Sequence, residues 1–217
     1  MSYVDTTQRV GNLIVQVVND ESAYASNPRD NDNLAHIYGS HRHYTIADGE
    51  PPADEMRALE RGGIRLLYRW LRRYQGLVAF TKLGMYDHSG VTFYAVPLGD
   101  NGHHVFDSAG WDSGVTGYGY ITTADLERMG SPADKAEEYL LAEIAEYASW
   151  SEGDVWGWTV TQPCDHEDEH DTDEEVADCP HSETLDSCWG YIGEREYVLS
   201  EGVSTAEYLN AHPAVPA

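Results

Sequence analysis

Two short segments place an acid, a hydroxyl and a glycine side by side, and the first of them also holds a histidine. They are Tyr86-Asp87-His88-Ser89-Gly90 and Trp111-Asp112-Ser113-Gly114. Asp and Ser beside Gly are typical of loops, because the short polar side chains bond the local backbone and glycine accepts a positive φ. Apolar runs flank both segments, so we expect the two loops at strand ends, where a rigid scaffold can hold reacting groups.

These loops offer several kinds of chemistry. If the protein is an enzyme, the candidate catalytic residues are His41, Asp87, His88, Ser89, Asp112 and Ser113; the candidate ligand-binding residues are Asp32, Asn33, His43, Tyr86 and Trp111. Gathered at one sheet end with Asp20, such an Asp/His cluster could hold a divalent metal or act as acid and base around a substrate. A Ser-His-Asp nucleophile set is nominally present, but neither serine lies in the Gly-x-Ser-x-Gly turn that exposes a nucleophile. The plainer alternative is that Asp87 and Asp112 cap their loops through the local backbone.

The helices and strands that must position these loops do not follow the repeating βαβ order of a parallel sheet. Apolar and β-branched runs predict strands near 12–18, 77–80, 91–96, 116–121, 154–160 and 185–192. A helical stretch follows Pro52 and has 64–74 as its second half, and further helices are predicted near 131–147 and 205–211. We therefore predict an α+β fold: a single domain over 1–217 with a mainly antiparallel sheet, two or three packing helices and an acidic hairpin insertion.

The helix at 64–74 is strongly basic. Its apolar residues recur at helical spacing and leave four arginines on the outer side: Arg65, Arg69, Arg72 and Arg73. We predict that Leu67 and Leu71 pack on the sheet while the arginines face the acid-rich remainder of the chain. The alternative is a local anion site.

The insertion, residues 163–183, combines acids with cysteine and histidine. Nine of the fourteen residues from Asp165 to Asp178 are acids, which is typical of a solvated loop. Cys164-x-His166 and Cys179-x-His181 flank them, and two thiolates with two imidazoles can complete a structural tetrahedral zinc site. We predict a disordered hairpin tip without a tightly held metal, and no cofactor; zinc at Cys164, His166, Cys179 and His181 is the alternative.

The chain is also very acidic, with 38 acidic against 13 basic residues and a formal net charge of −25. Such a field repels nucleic acid, so direct DNA or RNA binding is not expected. The charge has three competing explanations: salt adaptation, a DNA-mimicking surface, and cation binding or simple solubility. Three cysteines argue against a disulfide framework, and the absence of a membrane-length apolar run or a signal peptide predicts a cytoplasmic protein without membrane contact.

The motifs together resemble a widespread, mostly uncharacterised family of accessory proteins from phages, prophages and conjugative elements. The resemblance rests, in order, on segments at 26–34 (SNPRDNDNL), 41–44 (HRHY), 86–90 (YDHSG), 111–117 (WDSGVTG), 153–157 (GDVWG) and 186–191 (DSCWGY), with Glu143 and Tyr147 on a helix between them. The chain departs from the family in its acidic Cys/His insertion and its basic helix. The resemblance implies a cytoplasmic mobile-element protein and supplies no mechanism.

Charge and resemblance together predict a non-enzymatic acidic binding protein. Its partner would be a basic host protein, either a nucleic-acid enzyme or a defence component, met through electrostatic complementarity and DNA mimicry. A homo-oligomer is compatible with the sequence. The alternative function is a small-ligand-binding or metal-dependent hydrolase-type enzyme built on the two Asp-Ser-Gly loops.

Overall fold

The computed structural model describes residues 3–22 and 27–212, so Ser26 of the first motif lies outside the described residues. The described strands are β1 Val4–Val10, β2 Leu13–Asn19, β3 His36–Ser40, β4 Thr45–Ala47, β5 Leu77–Asp87, β6 Val91–Val96, β7 Ser113–Thr122, β8 Val155–Gln162 and β9 Glu183–Ile192. The α-helices are α1 Ala53–Tyr74, α2 Thr123–Met129, α3 Ala136–Ser151, α4 Asp173–Ala177 and α5 Arg195–Ala211, with 3-10 turns at Pro28–Asp30, Ala133–Lys135 and Glu167–Glu169. The chain divides into two compact units: unit 1 is Met1–Ser26 with Gly153–Ala217, and unit 2 is Asn27–Glu152.

Unit 1 is a four-stranded antiparallel sheet in the order β1-β2-β8-β9. Alternate residues of β2 and β8 face α5 and form a core with it: Leu13, Val15, Val17, Trp156, Trp158, Val160, Val198 and Ala206. Helix α5 approaches the sheet through small residues, since Gly202 and Ala206 are buried. The helix is longer than the predicted 205–211, because small residues on its buried face leave little apolar periodicity in the sequence.

Unit 2 is a five-stranded antiparallel sheet in the order β4-β3-β7-β5-β6 with a helix on each face. Helix α3 buries Leu140, Ile144 and Tyr147 against one face. On the other face, Leu67 and Leu71 of α1 are fully buried against a layer of tyrosines from β3 and β7. The packing predicted for Leu67 and Leu71 is thus confirmed.

The α+β class with antiparallel pairing is confirmed, but the strands form two sheets and not one central sheet. Strand β1 was not predicted, because its residues VDTTQRV are mostly polar and none is fully buried. The final hairpin of β8 and β9 pairs as predicted, with the acidic segment between them. Among the described residues, we find no helix long and apolar enough to cross a membrane.

Candidate functional site

The structure brings the two Asp-Ser-Gly loops together at one end of the unit 2 sheet. Strand β5 ends at Asp87, β7 begins at Ser113, and the Asp87 N–H donates to the Asp112 carbonyl at 2.9 Å. His88 Nδ1 lies 3.3 Å from Asp112 Oδ2. A shallow pocket of about 360 Å³ is lined by His41, Arg42, Met85, Asp87, Trp111, Asp112, Ser113, Gly114, Val115 and Thr116. Of the candidate residues, His41, Asp87, Asp112 and Ser113 line this pocket, whereas Asp20, Asp32, His43 and His88 are not part of its lining. The pocket is open to solvent, since Trp111 is 87% exposed.

The two candidate serines are not arranged as nucleophiles. The Ser113 hydroxyl donates to Asp107 Oδ2 at 2.8 Å and accepts the N–H of His104 at 2.9 Å. Ser89 is a turn residue with φ of 63°, and its neighbours close the turn through a bond from the His88 N–H to the Gly90 carbonyl. Neither hydroxyl bonds a histidine ring among the described residues, so a Ser-His-Asp set has no geometric support.

Asp107, which the sequence motifs did not single out, organises the second loop. Its carboxylate accepts the N–H groups of Trp111 and Asp112 as well as the Ser113 hydroxyl. Desolvation raises the pKa of Asp107, but these bonds outweigh it and lower the pKa to about 2. In the second loop, the capping role expected of Asp112 thus belongs to Asp107. Its position in Asp107-Ser108-Ala109-Gly110, a turn-forming run, was the available signal.

The segment at 26–34 contributes Arg29, whose side chain is 3% exposed, to the interior of unit 2. The guanidinium binds Asp48 at 2.8 Å, Glu143 at 2.6 Å and the carbonyl of Ala35 at 2.6 Å. Glu143 also accepts the N–H groups of Leu34 and Ala35. Arg29 and Glu143, which are 114 positions apart in the sequence, are thus joined in one charged network. This network gives the segment at 26–34 a structural role.

Several candidate ligand-binding residues are likewise engaged within the chain. Asp32 pairs with Arg128 at 3.0 Å, and the Asn33 amide donates to the carbonyls of Pro28 and Asn31. Asp20 belongs to unit 1, where its carboxylate accepts from Ser22. These contacts within the chain explain the placement of Asp32, Asn33 and Asp20, and no ligand is needed to explain it.

The aromatic and imidazole candidates lie in stacked groups near the loops. The Tyr86 ring stacks on His104 with centroids 4.6 Å apart, and the His41 ring stacks on Tyr44 at 4.9 Å. His43 is exposed and donates its backbone N–H to His41 Nδ1 at 3.3 Å. This bond engages the Nδ1 of His41 within its own loop.

In the acidic insertion, the structure gathers two cysteines and a histidine: Cys164, His170 and Cys179. Their ligand atoms all lie within 4.8 Å of one another. Cys164 is buried, while His170 and Cys179 are half-buried. His166 and His181, predicted to complete the set, stand outside this group and have their rings 5.6 Å apart. Two thiols and an imidazole are ligands that zinc prefers, so the chemistry of the group fits a metal ion.

The segment around this group is folded, where a disordered tip was predicted. It contains the turn Glu167–Glu169 and helix α4, whose Val176 is 3% exposed. The Ser182 hydroxyl accepts the N–H of Cys164 at 3.0 Å and donates to the Val176 carbonyl at 2.6 Å. This hydroxyl ties both ends of the insertion together and helps to set the distance between the cysteines.

The arginines of α1 were predicted to face carboxylates, and this prediction is wrong for the described residues. Two adjoining clefts run along the outer side of this helix, and the second is lined by Arg65, Tyr68, Arg69, Arg72, Arg73, Leu98 and Gly99. Within the described ranges, none of these four arginines has an ion pair with an acid. The alternative of a local anion site is therefore the one that the geometry favours.

No protein-family model, no curated protein and no solved structure matches this chain. The resemblance to mobile-element proteins stays a prediction.

Proposed function

We propose that this chain is a non-enzymatic binding protein of a phage-like mobile element that binds a basic protein in the cytoplasm of the host cell. The observation that carries the proposal is the acidic face, defined as the eleven carboxylates between Asp165 and Asp186. Ten of the eleven are exposed, and this stretch contains no lysine or arginine. Arg9 is the one basic residue paired with them in the described part of the chain, through Glu167 and Asp173.

The uneven distribution of charge favours a partner over general salt adaptation. Each unit contains 19 acids, but unit 1 has only Arg9 and Arg195 against them, whereas unit 2 has eleven basic residues. Salt adaptation acts on a whole surface, and it would lower the basic content of both units. A concentrated negative field instead accelerates encounter with a positively charged partner and makes binding sensitive to salt.

Strand β9 adds a second feature suited to a protein partner. It forms the edge of the unit 1 sheet, and its first eight residues are exposed. Leu185 and Trp189 are 39% and 47% exposed. A long edge offers unpaired backbone groups to another strand, and tryptophan is frequent where binding energy concentrates. Pairing of β9 with a second copy of this chain would give the homo-oligomer that the sequence also allows.

Zinc at Cys164, His170 and Cys179 would stabilise the acidic face. Ligand atoms of a tetrahedral zinc site lie about 3.7 Å apart, given Zn–S bonds of about 2.3 Å, and the three ligand atoms here lie within 4.8 Å of one another, so the separations are compatible with such a site. Such an ion would join residues at both ends of the acidic segment and reduce repulsion among the carboxylates. Three protein ligands leave one position for water or a neighbouring side chain.

The proposal is tested by removing charge from the acidic face without disturbing the fold. Asp168, Glu169 and Glu174 are suitable, because their side chains are exposed and make no hydrogen bond or ion pair among the described residues. The test variant is Asp168→Asn/Glu169→Gln/Glu174→Gln. The matched control Glu196→Gln/Glu201→Gln/Glu207→Gln removes three charges from α5 in the same unit.

Each tagged full-length variant is used to capture proteins from a bacterial lysate at low salt. The captured protein is then purified and its affinity measured at rising salt and in competition with duplex DNA. We expect a basic nucleic-acid-binding protein whose affinity falls at least tenfold with the test variant, changes little with the control and is competed by DNA. Equal affinity for both variants, or a partner indifferent to salt and DNA, would contradict the proposal.

A second candidate function has one specific observation in its favour, the shared pocket of His41, Asp87 and Asp112. These groups suit a small polar ligand, or a divalent cation that would have to draw them together, because among the described residues the cysteine and histidine group of the acidic insertion is the only set of three whose ligand atoms all lie within 4.8 Å of one another. Calorimetric titration with Mn²⁺ compares the wild-type chain with Asp87→Asn/Asp112→Asn. Binding that the double variant abolishes would support a metal-dependent site, and the absence of binding to the wild type would remove this candidate.

A further inference from the structure

Helix α1 carries a basic cluster that lacks counter-ions inside a very acidic protein. The cluster comprises five exposed arginines: Arg61, Arg65, Arg69, Arg72 and Arg73. None of them has a carboxylate within ion-pair distance in the described residues, whereas the neighbouring Arg57 is paired with Asp54. Unit 2 alone contains 19 acids, so arginines that serve only to balance its charge would be expected to find partners among them. Their isolation indicates that they serve an external anion.

The cluster lines two adjoining clefts, and the first of them has lining residues from both halves of a bent helix. The helical backbone geometry breaks at Gly62 and Gly63, where Gly63 has φ of 63° and ψ of −166°, so the helix turns between its two halves. A first cleft of about 490 Å³ is lined by Asp54, Arg57, Ala58, Arg61, Leu66, Arg69, Trp70, Arg73 and Tyr74. The second cleft, about 790 Å³, shares Arg69 and Arg73 with the first. These two arginines therefore stand between the clefts and serve both.

The clefts also contain aromatic rings beside the charges. Trp70 and Tyr74 line the first cleft and Tyr68 lines the second. Tyr74 is 64% exposed, and the Arg73 guanidinium lies 5.5 Å from its ring centroid. Guanidinium groups bind phosphate oxygens in a two-pronged manner, and exposed aromatic faces stack on planar bases. The combination matches a ligand with both phosphates and a flat ring.

We propose that the basic cluster binds a small phosphate-bearing ligand of the nucleotide class. This goes beyond the function proposed above, because it concerns unit 2 and a ligand of opposite charge. Asp54 is the one carboxylate lining the first cleft and is already bound by Arg57, and the second cleft has none among the described residues. A phosphate entering either cleft meets guanidinium groups and no unpaired acid of the described lining.

Charge screening favours a small ligand over a nucleic-acid strand. At physiological salt the Debye length is about 8 Å, so an anion inside a cleft is governed by the arginines in contact with it. A long strand would extend beyond the cluster over a protein whose net charge is −25 and would be repelled there.

The cluster is carried by a well-anchored scaffold, which keeps the test free of folding effects. Leu67 and Leu71 are fully buried beneath it, and Glu55 of the same helix accepts the hydroxyls of Tyr118 and Tyr120 at 2.7 and 2.6 Å. The arginines point outward and make no hydrogen bond with the rest of the described chain. Their substitution should leave the fold intact.

The experiment measures binding of ATP, of inorganic tripolyphosphate and of an eight-nucleotide oligothymidylate to the full chain by calorimetry. The test variant is Arg69→Gln/Arg73→Gln. The control Lys135→Gln/Arg195→Gln removes the same charge outside the clefts, at two arginine or lysine side chains in exposed ion pairs, and Tyr74→Ala tests the contribution of the ring. Thermal melting of each variant confirms that it is folded.

We expect ATP to bind the wild type and the control alike, and to bind the test variant at least tenfold more weakly. Tyr74→Ala should weaken ATP but not tripolyphosphate. The absence of ATP binding, or an equal loss with the control, would overturn the proposal. Tripolyphosphate binding as tight as ATP would overturn the nucleotide class in favour of a polyphosphate, and tighter binding of the oligonucleotide would overturn the small ligand in favour of a strand.

Discussion

Replacing Arg29 by methionine tests whether the segment at 26–34 stabilises the fold or serves a ligand. The Arg29 guanidinium is buried and joins Asp48, Glu143 and the Ala35 carbonyl through short bonds. Methionine retains much of the volume but leaves two carboxylates without their cation. If the network is structural, the substitution must lower the free energy of unfolding substantially.

The magnitude follows from burial. Removing one partner of a buried ion pair costs about 3–5 kcal/mol, whereas exposed pairs contribute about 0–1 kcal/mol. Glu143 keeps two backbone N–H donors, from Leu34 and Ala35, so we expect the lower end, about 3 kcal/mol. For a chain of this size, that loss lowers the melting temperature by about 6–12 °C.

Urea unfolding at pH 7, followed by circular dichroism, measures the effect, and hydrogen exchange of the Leu34 and Ala35 amides locates it. Arg57→Met is the matched control, because Arg57 and Asp54 form an exposed pair with side chains 61% and 64% accessible. Arg29→Lys should fall between the two, since lysine keeps the charge and loses the fork of donors. An Arg29→Met variant as stable as Arg57→Met, with unchanged amide exchange, would refute the structural role.

Three further outcomes are expected. Asp107→Ala should release the second loop, seen as loss of hydrogen-exchange protection at the Asp112 amide, while Asp112→Ala should leave the loop in place. Because folding lowers the pKa of Asp107 from 3.8 to about 2, the stability that Asp107 contributes is complete above about pH 4 and is lost as the pH falls toward 2. Elemental analysis after dialysis should find one zinc per chain in the wild type and in His166→Ala but none in His170→Ala; zinc lost from His166→Ala and kept in His170→Ala would return the site to the sequence-based ligand set. Gly117→Ala should disrupt the pairing of β3 with β7, because its Cβ would overlap the Tyr38 carbonyl oxygen; a variant that melts like the wild type would contradict this contact.

The sequence alone determined features that depend on local spacing. The apolar positions of α1 repeat with the helical period, and this period is enough to predict which face is buried. The sequence also predicts the strand from Val91 to Val96, the loop that follows β5 and the loop that precedes β7, because apolar runs are bounded there by Asp, Ser and Gly. The acidic character is compositional and needs no structure.

Only the tertiary structure decided which distant groups meet. Arg29 and Glu143 are 114 residues apart, and His170 replaces His166 and His181 beside the cysteines because the turn at Glu167–Glu169 and helix α4 set the path of the chain. The same holds for the arginines of α1, whose outward direction was predictable but whose lack of acidic partners among the described residues was not. Local periodicity is set by backbone geometry within a few residues, whereas these contacts depend on how strands pair and where loops close, which sequence spacing does not specify.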